Sequence, residues 1–363
     1  MTRACSIRLL LAAVALALPA LAQDSLPSAP SAVKNPPPAP PPPTPEPAKT
    51  APESKPDAQP AATGKSGGAT EPAPAPENGG ATPNLETFRK RVDEVNVVFT
   101  VTDKHKRFVK DLAESDFRVL DDGRAPQAVV NFRRETDLPL RVALLVDASS
   151  SIRERFKFEQ EASIEFFAQI IRPKFDKAAV VGFDSTVEVT QDFTDQTELL
   201  GKGVQMLRPG GGTALYDAIY RTCRDKLMTA DPKLAVRRAM VVLSDGVDNQ
   251  SHATREEAIE MALRAEVVVY AISTNVSPSG DHSGDKVLER IAEATGGRVF
   301  FPFHIEDVAN YFSEIQAELR SQYAIAYKPA GFNFDGRFRT IEISTLDKKY
   351  KVRSRKGYYA PAQ

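Results

Sequence analysis

The sequence contains no tryptophan, two cysteines and four histidines in 363 residues, and its 47 basic side chains are matched by 48 acidic ones, a formal charge of -1. Each scarcity excludes a class of protein. Two cysteines make neither a disulfide-rich scaffold nor a Cys-based zinc site. The histidines, His105, His252, His282 and His304, are scattered and leave little material for His-centred metal or triad chemistry. A charge near zero gives no bulk field to draw in nucleic acid or an anionic membrane surface. The apolar run Leu9 to Leu18 is shorter than the roughly 20 residues an ordinary membrane span needs. What the length does allow is two or three domains of about 100–200 residues each.

Arg3 and Arg8 precede that apolar run and Ala20 and Ala22 follow it, the layout of a secretory signal peptide over residues 1–22, cut before Gln23. The expectation is an exported protein, periplasmic, in the cell envelope or secreted, with no transmembrane helix after cleavage; the alternative is an uncleaved anchor. Cys5 leaves with the leader, so the mature chain keeps Cys223 and no internal disulfide. Residues 23–85 read as a Pro/Ala-rich linker: 18 of the 28 prolines lie between 24 and 84, with too little apolar surface to offset the entropy of ordering. Polyproline II character is expected, strongest at Pro36 to Pro47. Thr63-Gly64-Lys65-Ser66 resembles the end of a phosphate-binding loop, but Gln59 stands where its first glycine belongs, and no nucleotide site is expected.

The remaining 275 or so residues divide into three pieces. Between 93 and 135, Val95, Val97, Phe99 and Val101 alternate as in a strand, Phe117 to Leu120 ends at the turn Asp121-Asp122-Gly123, and Ala128 to Arg133 is again extended. Between 138 and 320, apolar runs of strand length (Val142 to Val146, Ala178 to Phe183, Thr186 to Val189, Ala239 to Leu243, Val267 to Ile272, Arg298 to Phe301) alternate with amphipathic stretches. That rhythm predicts an α/β domain, a doubly wound, mainly parallel sheet with helices on both faces, whose ligands bind beyond the carboxyl ends of the strands. Residues 321–361 return to strands at Tyr323 to Tyr327, Phe338 to Ile343 and Tyr350 to Ser354. Three strands alone make a poor core, so the two flanking pieces are expected to pack together as one β-sandwich, with the α/β domain inserted between them. Lys351, Arg353 and Arg355 share a strand face and are expected in solvent, discouraging edge pairing; Arg237-Arg238 is expected to be a solvated strand entry.

The chemistry concentrates at strand ends. The first α/β strand runs into Asp147-Ala148-Ser149-Ser150-Ser151, where one carboxylate and two hydroxyls at alternate positions can turn toward one point. Gly210-Gly211-Gly212-Thr213 opens a helix, and Ser244-Asp245-Gly246 ends another apolar run. Oxygen donors with two carboxylates suit a hard cation, Mg²⁺ first, then Mn²⁺ or Ca²⁺. A cation so sparingly held keeps room for one further anion, such as a carboxylate on a partner.

DASSS at 147–151, GGTALYDA at 211–218 and LSDGVDN at 243–249, in that order, resemble the von Willebrand factor A domain with its complete metal-ion-dependent adhesion site. The flanks, VTDKHKRFVKDLAESDFRVLDDG before it and QYAIAYKP and KVRSRKGYYAP after it, resemble the wider acidobacterial-type family related to that domain. The resemblance implies metal ligands at Asp147, Ser149, Ser151, Thr213 and Asp245, some through water. It also implies metal-dependent binding of a protein that presents an Asp or Glu, usually without catalysis.

Each residue has a plainer reading. Asp147, Ser149, Ser151 and Thr213 stand where helix N-caps stand. Asp217 and Asp248 are either outer hydrogen-bonding partners of the site or surface carboxylates. His252 reads as an exposed loop residue, and Cys223, in a stripe with Leu215, Ile219 and Leu227, as a buried apolar one. Two other functions compete with adhesion: a scaffold whose metal is purely structural, and a Mg²⁺-dependent phosphohydrolase with Asp147 as nucleophile. The phosphohydrolase expects a second acid two residues on, where this chain has Ser149.

Overall fold

The central strand of the α/β part, β4 (Leu140–Asp147), is buried along almost its whole length, because helices cover it on both sides. Its alternate residues divide between two cores: Val142, Leu144 and Val146 face one, Ala143 and Leu145 the other. The protein is described by a computed structural model covering residues 94–362 apart from 135–137, 154, 229–235, 276–281, 303, 305–306 and 332. The leader and the proline-rich stretch lie outside the described residues.

Six strands form the sheet in the order β6-β5-β4-β7-β8-β9. Here β5 is Lys177–Phe183, β6 Val187–Thr194, β7 Arg237–Ser244, β8 Val267–Ser273 and β9 Val299–Phe300. All neighbours are parallel except β5 and β6. On one face lie α1 (Phe156–Ile170), α2 (Thr197–Met206) and α6 (Asp307–Leu319), with Phe166, Phe167, Leu200, Val204, Phe312 and Ile315 in its core. On the other lie α3 (Leu215–Thr222), α4 (Arg255–Arg264) and α5 (Ser283–Thr295). Past α3 the helix continues as one π turn, Cys223–Leu227. The fold class read from the alternation, doubly wound α/β with helices on both faces, is the one found. The chain leaves β4 toward β5 on one side and later returns to β7 on the other. The carboxyl ends of β4 and β7 therefore flank a crevice, the place where open α/β sheets bind ligands.

The flanking segments interleave in two antiparallel sheets. One has the order β12-β1-β10-β3 (Lys351–Ser354, Val95–Thr102, Gln322–Lys328, Ala128–Arg134) and the other β13-β11-β2 (Gly357–Tyr359, Phe338–Thr345, Phe117–Asp121). Strands from before and after the α/β domain pair directly, as Val97 with Ile325 and Ile343 with Val119. Their inward residues, among them Val97, Phe99, Tyr323, Ile325, Ile341 and Tyr358, share one core. Buried Asp121 accepts the hydroxyls of Tyr327 (2.8 Å) and Tyr358 (3.1 Å), one from each sheet.

Of the basic residues expected in solvent, Lys351 is exposed, but Arg353, Arg355 and Arg237 lie at or near the seam between this β unit and the α/β domain. Arg353 pairs with fully buried Glu318 of α6, which also accepts from Tyr270 Oη (2.9 Å) and Arg298 Nε (3.0 Å). Arg355 is buried and donates to Asn96 O at 2.6 Å. Arg237, also buried, donates to the carbonyls of Leu319 and Leu138. Burial becomes tolerable for these cations because each guanidinium finds carbonyl or carboxylate oxygens, Arg353 and Arg355 reaching Glu318 and Leu263 O across the seam and Arg237 satisfied inside the α/β domain. Glu318→Ala should therefore cost about 3 kcal/mol, since it takes the carboxylate from Arg353 and the Tyr270 hydroxyl and leaves Arg298 with Glu314 alone. Urea denaturation measures this, and an unchanged midpoint would contradict the assignment.

Candidate functional site

Three loops meet at the crevice. β4 ends at Asp147 and runs through Ala148 and Ser149 into a short 3-10 turn, Ser150–Ile152, before α1. The loop 210–213 leads into α3, and the loop after β7 carries Asp245. Backbone and side-chain bonds close them into a ring. Gly210 N donates to Ala148 O (2.7 Å) and Ser150 Oγ to Gly211 O (3.0 Å), joining the first loop to the second. Thr213 N donates to Asn249 Oδ1 (3.0 Å), and its carbonyl accepts from Asn249 N and Gln250 N, joining the second to the third. Ser244 Oγ donates to Asp147 Oδ2 (2.7 Å), joining the third to the first.

Within the ring, oxygens face oxygens. Ser149 Oγ lies 2.9 Å from Ser151 Oγ, and Ser151 Oγ donates to Asp245 Oδ2 at 3.2 Å. Asp147 Oδ1 accepts from Ser149 N and Asp245 Oδ1 from Val247 N, each closing a local turn that aims the carboxylate. Asp147, Ser149 and Thr213 are buried, while Asp245 is half-buried and Ser151 exposed, so the set descends from an open rim to a closed floor. None of the side chains serves as a helix cap: neither Ser149 nor Arg155 caps the turn or the helix it precedes, and α3 begins after Ala214 without a side-chain cap. The capping reading of the serines and Thr213 therefore fails here.

Among the described residues no Lys, Arg or His pairs with Asp147 or Asp245. Burial first, and the neighbouring Asp245 charge in addition, lift the Asp147 carboxyl to about 6 against the hydrogen bonds from Ser149 and Ser244. A donor set of this kind fits a small hard dication. An octahedron with metal–oxygen bonds of about 2.0–2.1 Å has edges of about 2.9 Å, close to the hydroxyl and carboxylate spacings above. No three His, Cys, Asp or Glu side chains come together among the described residues, so any cation here would rely on hydroxyl oxygens as well as the two carboxylates.

The remaining candidates anchor loops. Asp248 Oδ2 accepts from Tyr216 N (2.9 Å) and Ser251 Oγ (2.6 Å). Asp217 accepts from His252 N (3.2 Å) and Ala253 N (2.8 Å) and pairs with Arg221. Both hold the loops that carry Thr213 and Asp245 rather than touching the facing hydroxyls. His252 is almost fully exposed, with Nδ1 3.3 Å from Asp217 Oδ2. Cys223 is buried and free, its thiol held well above the usual range by burial.

One residue escaped the sequence reading. Glu159 of α1 is 0% exposed, and neither carboxylate oxygen has a hydrogen-bond partner. Burial raises it to about 8, opposed by Arg155 and reinforced by the Asp147 and Asp245 charges. Its place in the apolar stripe of α1, between Phe156 and Ser163, was the available signal.

Two carboxyls whose folded values are raised make the fold bind protons more tightly than the unfolded chain. Their contribution is complete below about pH 4 and is lost as pH rises through about 6 for Asp147 and about 8 for Glu159. The cation-free protein should therefore lose stability between pH 4 and 8. Glu159→Gln should flatten the upper part of that profile, with an advantage on the order of 3 kcal/mol at pH 8. Chemical denaturation in EDTA across this range is the check, and parallel profiles for the two proteins would refute it.

Residues 142–318 match the family model of the von Willebrand factor type A domain. Among solved structures, the chain is similar to a von Willebrand factor type A protein from Catenulispora acidiphila, at 14% identity over 75% of this chain and 74% of that one, TM-score 0.43. It is similar also to an aerotolerance-related membrane protein from Bacteroides fragilis, at 16% identity over 50% of this chain and 98% of that one, TM-score 0.41. A third is proximal thread matrix protein 1 from the mussel byssus, a structure with zinc in its MIDAS motif. There the identity is 18% over 55% of this chain and half of that one, TM-score 0.45. A comparison with curated proteins found no match.

Proposed function

For a chain that carries a von Willebrand factor type A domain at residues 142–318, we propose a metal-dependent protein-binding role. Asp147, Ser149, Ser151, Thr213 and Asp245 would hold a divalent cation, Mg²⁺ before Mn²⁺ or Ca²⁺. The supporting observation is the chain of facing oxygens, Ser149 Oγ 2.9 Å from Ser151 Oγ and Ser151 Oγ 3.2 Å from Asp245 Oδ2, beside the fully buried Asp147 carboxylate, with no Lys, Arg or His paired to either carboxylate among the described residues. Two carboxylates balance a dication and leave its shell short of ligands on the exposed side, next to Ser151. When bound there, the ion supplies a positive, exchangeable position for an acidic residue of a partner. The chain's own part is to aim the oxygens: the turns at Asp147 and Asp245 fix the carboxylates, and Thr213 is held by Asn249 and Gln250.

The partner in this reading is a protein that presents an Asp or Glu, met outside the cytoplasm. The leader motif at 1–22 supports export, and among the described residues no helix is long and apolar enough to cross a membrane. Binding rather than catalysis is proposed. A phosphohydrolase built on Asp147 would want a second acid at 149, and Ser149 there faces another hydroxyl.

The test is retention of envelope proteins on the immobilised chain in Mg²⁺. EDTA, Asp147→Ala and Thr213→Ala should each reduce retention more than tenfold while circular dichroism stays unchanged. Retention of the same partner unaffected by EDTA would overturn the role. Mg²⁺-dependent hydrolysis of a phosphate ester, lost in Asp147→Asn, would replace it with the enzyme.

A further inference from the structure

The turn that carries Asp245 is tied to the next strand and helix. Beyond the end of β8 at Ser273, the side-chain amide of Asn275 donates twice, to Asp245 O at 3.1 Å and to Asp285 Oδ1 at 3.2 Å. Asp285, in the first turn of α5, is 9% exposed. It accepts Ser273 Oγ at 2.6 Å, and its Oδ2 lies 2.8 Å from His282 Nδ1. A second contact runs alongside. Gly246 has φ +79 and packs on Gly284 so closely that a Cβ on either would collide with the backbone of the other. Only glycine meets both requirements at Gly246, the left-handed backbone and the missing side chain.

We propose that Asn275, steadied by Asp285, is a positioning residue of the cation site, fixing the Asp245 turn so that its carboxylate stays opposite Ser151. The inference rests on the metal reading above. An amide is the group this place requires. The Asp245 carbonyl and the Asp285 carboxylate both present oxygens, and an NH₂ with two hydrogens reaches both at once where an acid would repel and an alkyl group would leave the Asp245 carbonyl without this donor and Asp285 Oδ1 with Ser273 alone. Asn275 touches none of the proposed ligand oxygens. It acts through the backbone of Asp245, whose Oδ1 is bound to Val247 N and whose Oδ2 faces Ser151.

The experiment measures Mg²⁺ and Ca²⁺ affinities of the full chain by isothermal titration, for the parent, Asn275→Ala, Asp285→Asn and the double variant. Tm in EDTA is recorded for each. Outer partners of metal ligands typically change affinity by about 10–100-fold, so Asn275→Ala should weaken Mg²⁺ at least tenfold. Ca²⁺ should weaken less, because it tolerates irregular shells and Mg²⁺ does not. Tm in EDTA should fall by no more than a few degrees for Asn275→Ala, which leaves the variant fully folded at the titration temperature, and the double variant should lose little Mg²⁺ affinity beyond the worse single one, since both act on the same link. Parent-like Mg²⁺ binding by Asn275→Ala overturns the proposal, and so does an equal loss for both ions. If the parent binds neither ion, the metal reading falls and this inference falls with it. If the parent binds, Asp147→Ala does not, and Asn275→Ala matches the parent, the inference falls alone.

Discussion

A carboxylate at the end of the central strand, fully buried and with no Lys, Arg or His paired to it among the described residues, is the constraint around which this domain is arranged. Asp147 can be kept there only by compensation. Part comes from the Ser149 amide and the Ser244 hydroxyl, and the rest is left as a raised affinity for a proton. A second unpaired carboxylate, Asp245, stands across the serines and deepens the deficit of positive charge. Every loop bond described above, from Gly210 to Asn249, holds these oxygens at the carboxyl end of the sheet instead of letting them turn into solvent.

The sheet makes that arrangement possible. Because β4 and β7 are adjacent but their outgoing chains diverge, the loops behind Asp147 and Asp245 leave a gap between them. The apolar residues of both strands fill two cores and fix the strand ends in depth as well as direction. The β unit contributes at a distance. Its Arg353 holds α6 through Glu318, and Arg237 at the entry of β7 reaches the last turn of α6, so the amino ends of the strands are braced where the carboxyl ends are open.

Much of this was legible in the sequence, for physical reasons. Strands buried on both faces read as continuous apolar runs, and DASSS, GGTALYDA and LSDGVDN stand at the ends of such runs or at helix starts, where oxygens converge. The interleaving of the flanking strands followed from each being too small for a core of its own. The misreadings share one cause: burial of a polar group through a partner distant in sequence leaves no local pattern. Arg353, Arg355 and Arg237 alternate as surface residues do, yet Glu318 and several carbonyls lie opposite them. Glu159, between Phe158 and Gln160, is the exception: it has no hydrogen-bond partner, and only its place on the inward stripe of α1 marked it. Asn275 draws its importance from two oxygens 30 and 10 residues away.

The central claim is that the carboxylate and hydroxyl oxygens gathered at the β4 and β7 ends receive a divalent cation. The most direct measurement is a crystal structure grown with Mn²⁺, with anomalous difference density collected at the manganese edge. The prediction is one strong peak within bonding distance of the Ser149 and Ser151 hydroxyls and at least one of Asp147 and Asp245, absent from an Asp147→Ala crystal. A parent crystal without density at that point, or with its peak elsewhere on the chain, would contradict it.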